Sequence, residues 1–91
     1  MEDKELARLR GEIDRIDARL LALFLERMRV VDEIGETKRG LGLPVRDEAR
    51  EAELLARIRT QAGEQADEAE ALFRALLAIS RGSQEQRRGD T

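Results

Sequence analysis

Apolar residues at Leu6, Leu9, Ile13, Ile16, Leu20, Leu23, Val30 and Ile34 recur with the alternating three-and-four spacing of a heptad seam. The pattern predicts one helix from about Lys4 to Arg39, with no proline inside it and Gly11 as its early weak point. The stretch GLGLP ends it, with Gly40 and Gly42 ahead of Pro44, the chain's only proline. A second helix is predicted from Asp47, a natural N-cap, with Leu54, Leu55, Ile58 and Ala62 on one face. QAGEQADEA predicts a break. A third helix then runs from about Asp67 into the eighties with Leu72, Phe73, Leu76, Leu77 and Ile79. No strand, repeat or domain-dividing linker is evident. The expectation is an all-α, three-helix domain over residues 1–86, followed by a disordered polar tail at 87–91.

The first helix makes a geometric demand. At 1.5 Å per residue it is about 54 Å long, whereas a compact chain of this size has a radius of gyration of about 12 Å. It should therefore protrude and expose its seam unless a second copy covers it, which predicts an interlaced homodimer. The densest apolar run, LLALFL at residues 20–25, is the natural crossing point.

Composition narrows the chemistry. The 91 residues are 41% hydrophobic and 41% charged, which leaves little for a core. With neither Cys nor His, thiolate metal sites, disulfides and Ser-His-Asp or Cys-His catalysis are excluded, and neither a metal nor a cofactor is expected. A net charge of -3 and only two aromatics, Phe24 and Phe73, speak against nucleic-acid binding. No run approaches the roughly 18 apolar residues of a membrane span, and MEDKELARLR has no apolar signal core, so a soluble, cytoplasmic protein is expected. The Arg-Gly-Asp near the C-terminus reads as part of a solvated end.

Each apolar stripe is interrupted by polar groups. Continuing the heptad from Ile13 and Leu20 puts Arg27 where an apolar residue belongs, and Ile34 then resumes the pattern. Arg10 and Lys38 share the flanking stripe but lie about 42 Å apart along the axis. An antiparallel partner crossing near residue 22 would set its own Arg10 between Arg27 and Lys38. At the start of the second helix five of six residues, Arg46 to Glu51, are charged. Asp47, Arg50 and Glu51 there sit one turn above Leu54 and Ile58, so they are expected to face inward. On the third helix the inward series Phe73, Leu77 continues as Ser80 and Gln84. Each feature alone fits an ordinary ion pair, a solvated first turn or a frayed end. Together they outline a pocket for a small polyanion with a neutral hydrogen-bonding portion.

The stretch from Leu9-Arg10 through Ile13-Asp14, Ile16-Asp17, Glu26-Arg27, Lys38, Pro44 with Asp47, and Arg50-Glu51, followed by a late Ser80 and Gln84, resembles the all-helical class of chorismate mutases. The likeness extends from Leu6 to about Gln86. It implies an interlaced dimer with two active sites, each completed by the partner's first helix, and no cofactor. By position, the partner's Arg10 and Arg27 would bind the substrate carboxylates, Lys38 and Gln84 the ether oxygen, and Glu51 with Asp47 the ring hydroxyl. Arg50 and Ser80 would complete the wall. The implied reaction is the rearrangement of chorismate to prephenate in aromatic amino-acid biosynthesis. Three alternatives stay open: a 4-amino-4-deoxychorismate mutase, an isochorismate pyruvate lyase, and a non-catalytic helical dimerisation module.

Overall fold

The computed structural model describes residues 3–89, and among them the backbone is helical everywhere except at Asp3 and residues 41–47. Helix α1 spans Lys4–Gly40. Asp3 caps it: its carboxylate accepts hydrogen bonds from the Glu5 and Leu6 amides at 2.8 and 3.1 Å. The C-terminal end is closed by a Schellman motif, in which the Leu43 amide donates to the Lys38 carbonyl at 2.8 Å and the Gly42 amide to that of Arg39 at 3.1 Å. Gly42 has φ +71°, a conformation that glycine adopts without a steric cost, so it is Gly42 rather than Gly40 that makes the cap.

Helix α2 spans Glu48–Ala62, a 3-10 turn Gly63–Gln65, and helix α3 Ala66–Gly89. Asp47 is the N-cap of α2; its φ is -122° and its Oδ1 accepts from the Arg50 amide at 3.0 Å. Where a break was expected, the helical backbone continues through the 3-10 turn, and only Gly63, with φ +60°, leaves the right-handed region. Arg59 pins this corner by donating to Asp67 and Glu70, both at 2.9 Å, and Arg74 donates to Glu70 at 2.8 Å. Hydrogen bonds from Arg74 and then Arg59 hold the Glu70 carboxyl below its ordinary range. The contribution of this link is thus fully present above the ordinary carboxylate value and is lost as the pH falls through the lowered one.

Of the tail expected at 87–91, the three described residues are helical. Helix α3 continues through Arg87, Arg88 and Gly89, while Asp90 and Thr91 lie outside the described residues. Contacts explain the extension: Arg87 donates to Asp32 at 2.7 Å, and Arg88 donates to the Leu43 carbonyl at 2.6 Å. The expected weak point Gly11 does not interrupt α1, and Gly82 does not interrupt α3.

The chain divides into two compact units, the first ending at Val30 and the second beginning at Val31. In the first unit no described residue is fully buried. Every residue of the heptad seam, those of the first unit together with Ile34 of the second, is 43–60% exposed. In the second unit α2 lies against α3, with Leu54, Leu55, Ile58 and Ala62 half-buried on one side and Phe73, Leu76 and Leu77 on the other. Among the described residues only Val31, Ser80 and Gln84 are buried, so two of the three most enclosed side chains are polar. No helix of the described residues is long and apolar enough to cross a membrane.

The cap on α2 is testable by itself. Asp47→Ala should lower the unfolding free energy by about 1 kcal/mol in denaturant titration at fixed protein concentration, and Asp47→Asn by much less. Equal losses in the two variants would deny Asp47 the capping role.

Candidate functional site

The polar end of α3 is built around Gln84. The helical series Phe73, Leu77, Ser80, Gln84 lies on one face, and burial increases along it until Ser80 is 8% and Gln84 6% exposed. Ser80 donates its hydroxyl to the Leu76 carbonyl at 2.7 Å, one turn back. The Gln84 amide nitrogen donates to the Val31 carbonyl of α1 at 3.2 Å. Its Oε1 is buried without a hydrogen-bond partner among the described residues, an unusual condition for an enclosed polar atom. This approach is possible because residue 35 is glycine: a Cβ there would stand 2.9 Å from Gln84 Cγ. Ser83 and Arg87 flank the contact, donating to the two oxygens of Asp32 at 3.3 and 2.7 Å.

Lys38 lies one turn beyond Gly35 on α1, and its ammonium donates to the Val45 carbonyl at 2.8 Å. Its position follows from the Schellman cap, which takes the Lys38 backbone carbonyl as acceptor and turns the chain so that Val45 comes back over the side chain. One ammonium hydrogen is thereby engaged, and the group has three. Lys38 and Gln84 are thus nitrogen donors on two helices, Lys38 one turn beyond Gly35 on α1 and Gln84 packed against Gly35 from α3.

The charged start of α2 is only partly inward. Asp47 and Arg50 are exposed, contrary to expectation, because Asp47 is spent on the cap and Arg50 turns outward to donate to Glu53 at 3.1 Å, the partner three residues along its own helix. Glu51 does turn inward. Both of its carboxylate oxygens accept from the Arg81 guanidinium on α3, each at 2.6 Å, with side chains only 15% and 25% exposed. Arg81 follows Ser80 directly, so this pair ties Glu51 to the level of α3 at which the buried polar face begins. Glu51 also borders an open depression of about 490 Å³ shared with Arg46, Leu55 and Arg74.

Arg10 and Arg27 belong to the first unit, where Arg10 is exposed and Arg27 half-buried. Within the second unit, then, Gln84 packs on Gly35, Lys38 follows one turn further along α1, Ser80 precedes Gln84 by one turn on α3, Glu51 is bound by Arg81 of α3, and Asp47 and Arg50 are exposed.

Sequence reading missed Gly35, Arg81 and the Asp32-Arg87 link. Gly35 carried a signal, being a glycine one residue after the seam position Ile34 in a helix that does not end until Gly40. Arg81 carried none, since an arginine beside the inward stripe looks like any solvated helix residue until its partner on another element is known.

Residues 9–85 match the family model of chorismate mutase type II. The chain is 45% identical over 58 residues to a T-protein of Enterobacter agglomerans, covering 64% of this chain and 16% of that protein. It is 39% identical over 56 residues to a chorismate mutase of Methanocaldococcus jannaschii, covering 62% and 57%. The aligned part therefore spans from about a sixth to somewhat over half of these relatives. A solved structure of a conserved hypothetical protein from Pyrococcus furiosus superposes with a TM-score of 0.78 at 34% identity, covering 91% of this chain and 99% of that one. Since the match runs over residues 9–85, most of the chain, and takes in the seam of α1 from Leu9 onward with Gly35, Lys38, Glu51, Ser80 and Gln84, the chain belongs to the type II chorismate mutase family.

Proposed function

We propose that this chain is a chorismate mutase, converting chorismate to prephenate for aromatic amino-acid biosynthesis, and that it works as an interlaced homodimer. The observation that carries the reading is the buried Gln84 carboxamide packed on Gly35, with Lys38 following one turn further along α1. The reaction is a concerted Claisen rearrangement: the ether C–O bond breaks as a C–C bond forms, with no nucleophile, proton transfer, metal or cofactor. A chain without His or Cys has what this chemistry requires.

The protein's work is conformational and electrostatic. Arg27 and the partner's Arg10 grip the two carboxylates and hold the enolpyruvyl side chain over the ring, so the entropy of reaching the compact conformer is met at binding. As the ether bond breaks, negative charge grows on its oxygen. Lys38 and the second amide hydrogen of Gln84 donate to it from fixed positions, Lys38 held by Val45 and Gln84 by Val31. Glu51, with Asp47, accepts from the ring hydroxyl. Arg50 completes the wall with Ser80; its exposed pair with Glu53 is worth little and is easily given up.

The dimer is supported by the seam of α1, whose leucines, isoleucines and valine remain 43–60% exposed within one chain. Fully covering one such side chain is worth about 1.5–3 kcal/mol, so eight uncovered positions in a chain with one buried hydrophobic residue among those described favour a second copy. An antiparallel crossing near residue 22 brings the partner's Arg10 opposite residue 34, beside Lys38 and Arg27.

Lys38→Ala and Gln84→Ala should each lower kcat by about 10²–10³-fold with a much smaller change in KM, since both act on charge that appears only in the transition state. A change in KM alone would refute these roles. Gly35→Ala should lower kcat about tenfold to a hundredfold by displacing Gln84, while leaving helix content by circular dichroism unchanged. Full activity in this variant would mean that Gln84 is not held by the contact with Gly35.

Arg10→Ala and Lys38→Ala should each be inactive alone and complement one another when mixed. In the heterodimer one site receives both defects and the other receives neither. With random subunit exchange about half the dimers are mixed and each has one good site of two, so recovery should approach about a quarter of wild-type activity. No recovery, with heterodimers demonstrated by differently tagged subunits, would show that Arg10 serves its own chain.

A further inference from the structure

Glu51 is the one acidic side chain of the proposed pocket that is both turned inward and held, and what holds it is a cation. Arg81 spans from α3 to place one guanidinium nitrogen 2.6 Å from each Glu51 oxygen. Charge-assisted bonds of this length between partly enclosed groups fix the carboxylate and offset its charge. Each carboxylate oxygen has a lone pair beyond the one given to Arg81, so Glu51 can still accept a hydrogen bond from a ligand. A neutral hydroxyl needs only that acceptor. An ammonium needs an uncompensated anion, and in its place it would meet a pair whose net charge is zero, with the guanidinium repelling it at close range.

We propose that Arg81 is the residue that sets specificity at the ring substituent: by neutralising and orienting Glu51, it selects a substrate carrying a hydroxyl over one carrying an ammonium at the same ring carbon. This rests on the reading of the chain as a mutase with Glu51 at the ring substituent, and deepens it. Arg81 does not touch the reacting atoms. It acts through Glu51 and is a positioning residue. Its removal should therefore change which substrate is preferred, and not only how fast the enzyme turns over.

The test compares kcat/KM for chorismate and for 4-amino-4-deoxychorismate in the full-length protein. The wild type should favour the hydroxyl compound. Arg81→Leu should raise the amino-to-hydroxyl ratio of kcat/KM by about tenfold or more, because an exposed anion now faces the ammonium. Arg81→Lys, which keeps the cation, should leave the ratio near that of the wild type. Adding Glu51→Gln to Arg81→Leu should abolish the gain, since the ammonium then has no anion to meet. Where Arg81→Leu fails to fold, Arg81→Gln keeps a hydrogen-bond donor without the charge and should shift the ratio in the same direction. An equal fall for both substrates, leaving the ratio unchanged, would overturn the proposal and make Arg81 a structural brace between α2 and α3. A wild type that turns over neither compound would instead overturn the mutase reading itself, and this proposal with it.

Discussion

The approach of α3 to α1 at Gly35 governs the rest of the second unit. Gln84 reaches the Val31 carbonyl only because no Cβ stands at residue 35. Once that amide is seated, the register of α3 is set along the last turns of α1. Ser83 and Arg87 then fall beside Asp32, and Arg88 beside the Leu43 carbonyl of the cap. The cap in turn returns Val45 over Lys38. A buried polar contact is a costly way to join two helices, since leaving one carboxamide oxygen without a partner forfeits part of what the amide bond gains. An apolar residue at position 84 would pack at least as well. That the enclosed position is given to a carboxamide is intelligible if its second hydrogen and its orientation serve a ligand.

The same economy explains the thinness of the core. A chain that devotes its best-enclosed positions on α3 to Ser80 and Gln84, and keeps a heptad seam on α1 uncovered, cannot derive its stability from its own interior alone. The proposed dimer would answer both needs with one surface. The seam supplies the apolar area, and the flanking stripe, which carries Arg10, is carried along to wherever the seam is buried. In such a dimer stability and the supply of a cation to the proposed pocket would be coupled: a chain that lost its partner would lose part of its core and part of its site together.

How much of this was legible in the sequence depended on whether a residue's role was local. The heptad spacing located α1, GLGLP its end, and Asp47 the start of α2, because periodicity, left-handed glycine and capping are properties of short stretches. The inward series Phe73, Leu77, Ser80, Gln84 was legible for the same reason, and burial follows it. What failed was the assumption that all three charges at the start of α2 share one fate. Asp47 was already committed to its cap, and Arg50 found Glu53 on its own helix, while only Glu51 met a partner from elsewhere. Arg81 and Asp32 were invisible because their partners lie 30 and 51 to 55 residues away. The end of α3 was set too early for a related reason: Arg87 and Arg88 look like a polar tail until Asp32 and Leu43 are brought against them.

The proposed pericyclic reaction would place an unusual demand on a protein, and the helices offer ordinary means of meeting it. No group has to change its protonation state, so the site can be assembled from residues whose charge is constant near neutral pH: arginine, lysine, glutamate and a carboxamide. The difficulty moves from reactivity to position. A donor that acts only on the developing charge contributes most when it is already fixed before the charge appears, since reorganisation during the reaction would consume the gain. Backbone carbonyls are suited to that fixing, because they belong to rigid elements and do not titrate. Val31 holds Gln84 and Val45 holds Lys38. Arg81 does for the Glu51 carboxylate what those carbonyls do for the donors, and it alone among the three does so with a full charge. That difference is why its proposed effect would reach beyond geometry to the kind of substituent such a pocket accepts.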